Sequence, residues 1–134
     1  MKNFALFLVL FVSSLLIGCK EPQNNYVEEI LLDQRECIAD KEGGDFTLHV
    51  LKYKGDLQIF WWVGEDTETT KYLYQSATCD TLITNWYKAV LIKEESPIIN
   101  ITVLPNDSLI DRSDNIALFG DNCHTSIDIK QAAF

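Results

Sequence analysis

At 134 residues, 47% of them hydrophobic, the chain can build one modest core and is too short for two ordinary domains. Eleven Lys and Arg against 20 Asp and Glu leave a formal charge of −9, a surface that repels phosphate backbones and excludes nucleic acid as a partner. An enzyme is also disfavoured. There is no Gly-x-Ser-x-Gly, no His-Glu-x-x-His and no phosphate loop, and the two histidines, His49 and His124, lie 75 positions apart. Glu65-Asp66 and Glu94-Glu95 are adjacent pairs, whose side chains diverge in a strand. No cofactor or metal is expected, because Asp107 to Asp114 lacks the ordered Asp-Asn-Gly loop of a calcium site and reads as a solvated turn.

The chain opens with Lys2, an apolar run from Phe4 to Val12, then Ser13, Ser14 and Leu15-Leu16-Ile17, which is the make-up of a signal-peptide core. Phe4 to Ile17 spans 14 residues, short of the roughly 20 a membrane-spanning helix requires. The tetrad Leu16-Ile17-Gly18-Cys19 resembles the bacterial lipobox. That resemblance implies a diacylglyceryl group on Cys19, cleavage after Gly18 and acylation of the new amino group, several chains together giving durable attachment to a membrane. Residues 1–18 are then a cleaved signal peptide, and the mature side chains sum to −10 once Lys2 is gone. Lys20, standing where an Asp would imply inner-membrane retention, implies the outer membrane; Lys20-Glu21 resembles the surface-export signals of Bacteroidota lipoproteins. Residues 19–27 read as the lipidated Cys and a flexible tether, and 28–134 as the folded domain.

Cys37, Cys79 and Cys123 remain, enough in an oxidising envelope for one disulfide and one spare thiol, with three pairings open. The polar, turn-like surroundings of Cys79 and Cys123 favour that pair. No spacing is CxxC, so neither a thiol redox motif nor a zinc knuckle is supported.

Most of the domain alternates in period two, the pattern of half-buried strands, and no 12-residue stretch shows a helical face. Glu42-Gly43-Gly44-Asp45 predicts a hairpin turn before Phe46, Leu48 and Val50, which share a face opposite Thr47, His49 and Leu51. Leu57, Ile59, Trp61 and Val63 point one way, Gln58, Phe60 and Trp62 the other, with His49 outward on the neighbouring strand. Tyr72, Leu73 and Tyr74 form a short strand or its edge, while 76–85 carry no assignable pattern. Trp86 to Ile92 and Ile99, Ile101, Val103 continue the series. Ile116 and Leu118 pair with Ile127 and Ile129 about a turn at Asp121-Asn122. The fold class is all-β, a sandwich of about seven antiparallel strands.

The order of these pieces resembles the BACON domain, the Bacteroidetes-associated carbohydrate-binding module. Matching pieces are Glu42-Gly43-Gly44 before an alternating strand, Trp86 at a strand start, Ile101-Thr102-Val103, Asn106, Arg112-Ser113, Ile116 to Leu118, and Ser126 to Ala132. The resemblance implies an immunoglobulin-like fold over roughly 28–134, a core position for Trp86, and a glycan- or mucin-binding role. Departures are the long segment 52–85, the extra cysteines, and a single domain where the family adorns larger enzymes.

A glycan needs exposed aromatic rings with polar groups beside them to bond hydroxyls, and Trp62, Phe60, Tyr72, Tyr74 and His49 are the candidates. The same rings could instead cover the sheet or, as with Phe60 and Trp62, dock another envelope protein, which is the competing structural or accessory role. Asp80-Thr81-Leu82 and Asp107-Ser108-Leu109 resemble the Bacteroidota O-glycosylation acceptor, implying sugars on Thr81 and Ser108 in loops outside the core.

Overall fold

The computed structural model describes residues 30–61 and 71–133. These form ten strands and no helix: β1 (Leu31–Leu32), β2 (Glu36–Ala39), β3 (Gly44–Lys52), β4 (Gln58–Trp61), β5 (Lys71–Gln75), β6 (Cys79–Thr84), β7 (Tyr87–Ile92), β8 (Ile98–Val103), β9 (Arg112–Gly120) and β10 (Cys123–Gln131). One sheet runs β1-β3-β8-β7-β6-β5 and the other β2-β10-β9-β4. The sub-orders β1-β3-β8-β7 and β10-β9-β4 follow the ABED and GFC order of an immunoglobulin sandwich, with β5 and β6 added beside the fourth strand.

Alternation builds the core. Leu48 and Val50 on β3, Leu82 on β6, Ala89 and Leu91 on β7, and Ile99, Ile101 and Val103 on β8 meet Ile59, Ile116, Leu118, Ile127 and Ile129 of the other sheet, all buried. Trp86 is 4% exposed, as expected, and stands edge-on to Tyr87. The β9–β10 hairpin closes at Asp121-Asn122, with Asn122 taking a positive φ, and pairs Ile116 with Ile127.

Three expectations need correction. The turn near Glu42 is not a hairpin, because the chain changes sheets there. β2 pairs parallel with β10 while β3 pairs with β1 and β8, and only an isolated Asp40–Gly43 bridge links the two arms. Gly43 (φ +83°) is required at that crossing, since a Cβ would sit 2.2 Å from the Val103 carbonyl oxygen. The count of about seven antiparallel strands is low: the first strand divides between the sheets as β1 and β2, and 71–84 supplies β5 and β6. β6 escapes a period-two reading because two of its three inward residues are the polar Asp80 and Thr84, which hide the apolar alternation. Finally, β4 does not neighbour β3; it crosses to the opposite sheet beside β9.

At one end of the sandwich, residues of the family-like pattern act as staples. Buried Gln131 donates from Nε2 to the carbonyls of Asp40 (3.1 Å) and Leu104 (2.8 Å), and the Asn106 amide donates to Lys41 O (2.7 Å). Arg112 lies 6.0 Å over the Trp86 ring. These contacts join the 40–43 turn, the 104–111 loop and the C-terminal strand, so this part of the pattern encodes the fold.

Candidate functional site

In an antiparallel ladder, directly opposed residues share a face, so the registers define the outer surface of the six-stranded sheet. One row crosses it as Tyr72, Ile83, Lys88, Thr102, Asp45. The next is Tyr74, Thr81, Val90, Asn100, Thr47, and a third is Cys79, Ile92, Ile98, His49. Five strands at about 4.8 Å spacing make a face roughly 19 Å wide. Tyr72 and Tyr74 are 57% and 62% exposed, while Leu73 between them packs toward the core. The two rings therefore project from edge strand β5 about 7 Å apart. Beside them stand half-buried Thr81, Val90 and Asn100. Thr47 donates to Asn100 Oδ1 (3.0 Å) and Thr102 to Asp45 Oδ1 (2.7 Å).

His49 sits on the same face but four strands away from the tyrosines, so the structure does not bring them together. Its Nδ1 lies 2.8 Å from Asp33 Oδ2, and its amide donates to Asp33 Oδ1 (2.9 Å). Asp33 is pulled in two directions: slight burial raises its carboxyl and the His49 contacts lower it, with a net shift downward. Phe60 belongs to the opposite surface. Half-buried on β4, it meets Phe119 edge-on at 5.5 Å, and Phe119 in turn leans on His124 at 5.9 Å, so its neighbours already occupy it. Trp62 lies outside the described residues, as does Cys19.

The Cys79–Cys123 pairing does not form; all three cysteines described are free thiols. Cys79 faces outward on β6, whereas Cys123 faces the core from β10, so a sheet separates them. Cys37 is inward too, but it registers with Ile129, six residues along β10 from Cys123 and roughly 20 Å away, far beyond the about 7 Å Cα limit for a disulfide. Burial, aided by Asp33 and Glu36, pushes the Cys37 thiol up to about 11. Thr81 is not in a loop either: it lies mid-strand, because buried Asp80 anchors β6 from within. Ser108 does occupy a loop, where its hydroxyl donates to Asn106 Oδ1 (2.7 Å).

Two buried polar clusters went unseen in the sequence. Asp80, fully buried, accepts the Ile59 amide (3.1 Å) with Oδ2 and lies 3.0 Å from Lys93 Nζ through Oδ1. That carboxylate caps an amide of edge strand β4 from the facing sheet, closing a position open to strand addition. Asp114 on β9 accepts from Tyr87 Oη (2.7 Å) and from Lys71 Nζ (3.1 Å to Oδ1), again joining the two sheets. Burial first, then the Asp114 charge and hydrogen bond, hold the Tyr87 phenol far above its ordinary value. The signal was a charged or hydroxylated residue in an otherwise apolar alternation, at Asp80, Tyr87 and Asp114. Among the described residues no group of three His, Cys, Asp or Glu converges on a possible metal site.

No family model and no curated protein matches the chain. Among solved structures, it is similar to a Bacteroides ovatus GH5 xyloglucanase in complex with a XXXG heptasaccharide (TM-score 0.53, 18% identity), covering 79% of this chain. The chain spans only 19% of that protein's length. A protein from Bacteroides thetaiotaomicron solved by NMR matches over 87% of this chain and 98% of its own length (TM-score 0.58, 14% identity). Both likenesses establish the fold, a β-domain shared with Bacteroides proteins.

Proposed function

We propose that the chain is a non-catalytic, BACON-type glycan-binding module, carried at the outer membrane or cell surface by a lipid on Cys19. The observation that carries this reading is the pair Tyr72 and Tyr74, exposed side by side on one face of an edge strand with hydroxyl and amide groups on the strands beside them. A tyrosine ring offers an apolar face to a pyranose and a polar tip to its hydroxyls. The similarity to part of a Bacteroides xyloglucanase supports a glycan-related role, since that protein acts on a polysaccharide and holds a domain of this fold.

The test is a binding screen of the full chain against neutral and acidic polysaccharides and mucin, with Tyr72→Ala and Tyr74→Ala beside it. Saturable binding lost in folded variants supports the reading; no binding to any glycan refutes it. The alternative, a protein-docking accessory role without sugar affinity, is favoured by one feature: Leu109 and Ile110, 80% and 73% exposed at the tip of a loop braced by Asn106.

A further inference from the structure

Of the lysines and arginines described, Lys88 is the one that the strand registers place in these rows of the outer face, and it is exposed there. Among the described residues it has no ion-pair partner, whereas Lys71, Lys93 and Lys130 are held by Asp114, Asp80 and Glu36. Its row is Tyr72, Ile83, Lys88, which places the ammonium-bearing strand two strands, about 10 Å, from the first tyrosine. A short glycan lying across β5 to β7 would stack on the rings and reach Lys88 with its next residues. The chain's overall negative charge does not cancel this site. In these rows the one described carboxylate is Asp45, two strands further on, and it accepts a hydrogen bond from Thr102. That separation of about 10 Å exceeds the screening length of about 8 Å at physiological salt.

We infer that this face selects glycans bearing an anionic substituent, a carboxylate or a sulfate, through Lys88. The inference rests on the glycan-binding reading above. An ammonium with free donors beside aromatic rings favours an acid group over the neutral form of the same sugar, and an exposed pair of this kind sets an upper scale of about fivefold.

The experiment measures affinity of the full chain for polygalacturonate and for its methyl-esterified form, which keeps the backbone and removes the charge. Dextran sulfate against dextran forms the sulfate arm. Expected is a preference of about fivefold for the acidic member of one pair, falling to within about twofold in Lys88→Met and retained in Lys88→Arg. It is also retained in Lys54→Met, a control on the 53–57 loop. Equal binding of acid and neutral forms, or a preference unchanged in Lys88→Met, overturns the inference while leaving glycan binding intact. Failure to bind any of the four polymers while another glycan is bound overturns the inference alone, and failure to bind any glycan in the wider screen overturns both.

Discussion

The polar seam between the sheets and the polar outer face of the six-stranded sheet use similar side chains to opposite ends. In the seam, Asp80, Lys93, Lys71, Asp114 and Tyr87 are nearly or fully buried and bonded to one another or to backbone. On the outer face, Tyr72, Tyr74 and Lys88 are exposed, and Lys88 has no ion-pair partner among the described residues. Satisfied groups hold a fold together; accessible groups that the fold does not use are where a ligand can be bound. If the distinction is right, mutations in the seam cost stability, and mutations on the face cost binding with stability nearly unchanged.

The largest effect is expected at Asp80. Asp80→Ala leaves the nearly buried Lys93 ammonium with the Ser76 carbonyl (3.1 Å) but no countercharge and uncaps the Ile59 amide, and should cost about 3–5 kcal/mol in urea denaturation. A loss under about 1 kcal/mol would show the seam to be dispensable. Tyr87→Phe removes one bond to a charged acceptor and should cost about 1.5–3 kcal/mol, read from the thermal midpoint.

Cys37 sharpens the comparison through pH. Its folded value of about 11 stands above its ordinary 9.0, so the native state holds the thiol proton more tightly than the unfolded chain. That contribution is fully present below pH 9 and is lost as pH rises toward 11, by about 2 kcal/mol. Denaturation curves between these pH values should fall less steeply in Cys37→Ala than in the native chain; parallel curves would contradict the assignment. The smallest stability effect belongs to the face, where Tyr74→Ala should stay within about 0.5 kcal/mol of the native chain.

Much of the fold was legible in the residues. Alternation correctly assigned the faces of β3, β8 and β10, and Asp121-Asn122 marked the last hairpin, because burial of one face imposes period two directly. Which sheet a strand joins was not legible. The crossing at Gly43 and the passage of β4 to the second sheet depend on partners far away in sequence, and a turn signal looks the same whether the chain folds back or crosses over. For the site, the i, i+2 spacing exposed Tyr72 and Tyr74 together, but His49 and Phe60 were dispersed by that same sheet assignment. Lys88 was invisible, since only three-dimensional pairing distinguishes an unpaired lysine from a paired one.

The most direct test of the central claim is glycan binding by the full chain and by the Tyr72→Ala/Tyr74→Ala double variant, each checked for folding by circular dichroism. The account predicts saturable binding in the first and at least a tenfold loss, about 1.4 kcal/mol or more, in a folded second. Undiminished binding in the double variant, or none in the native chain, would contradict it.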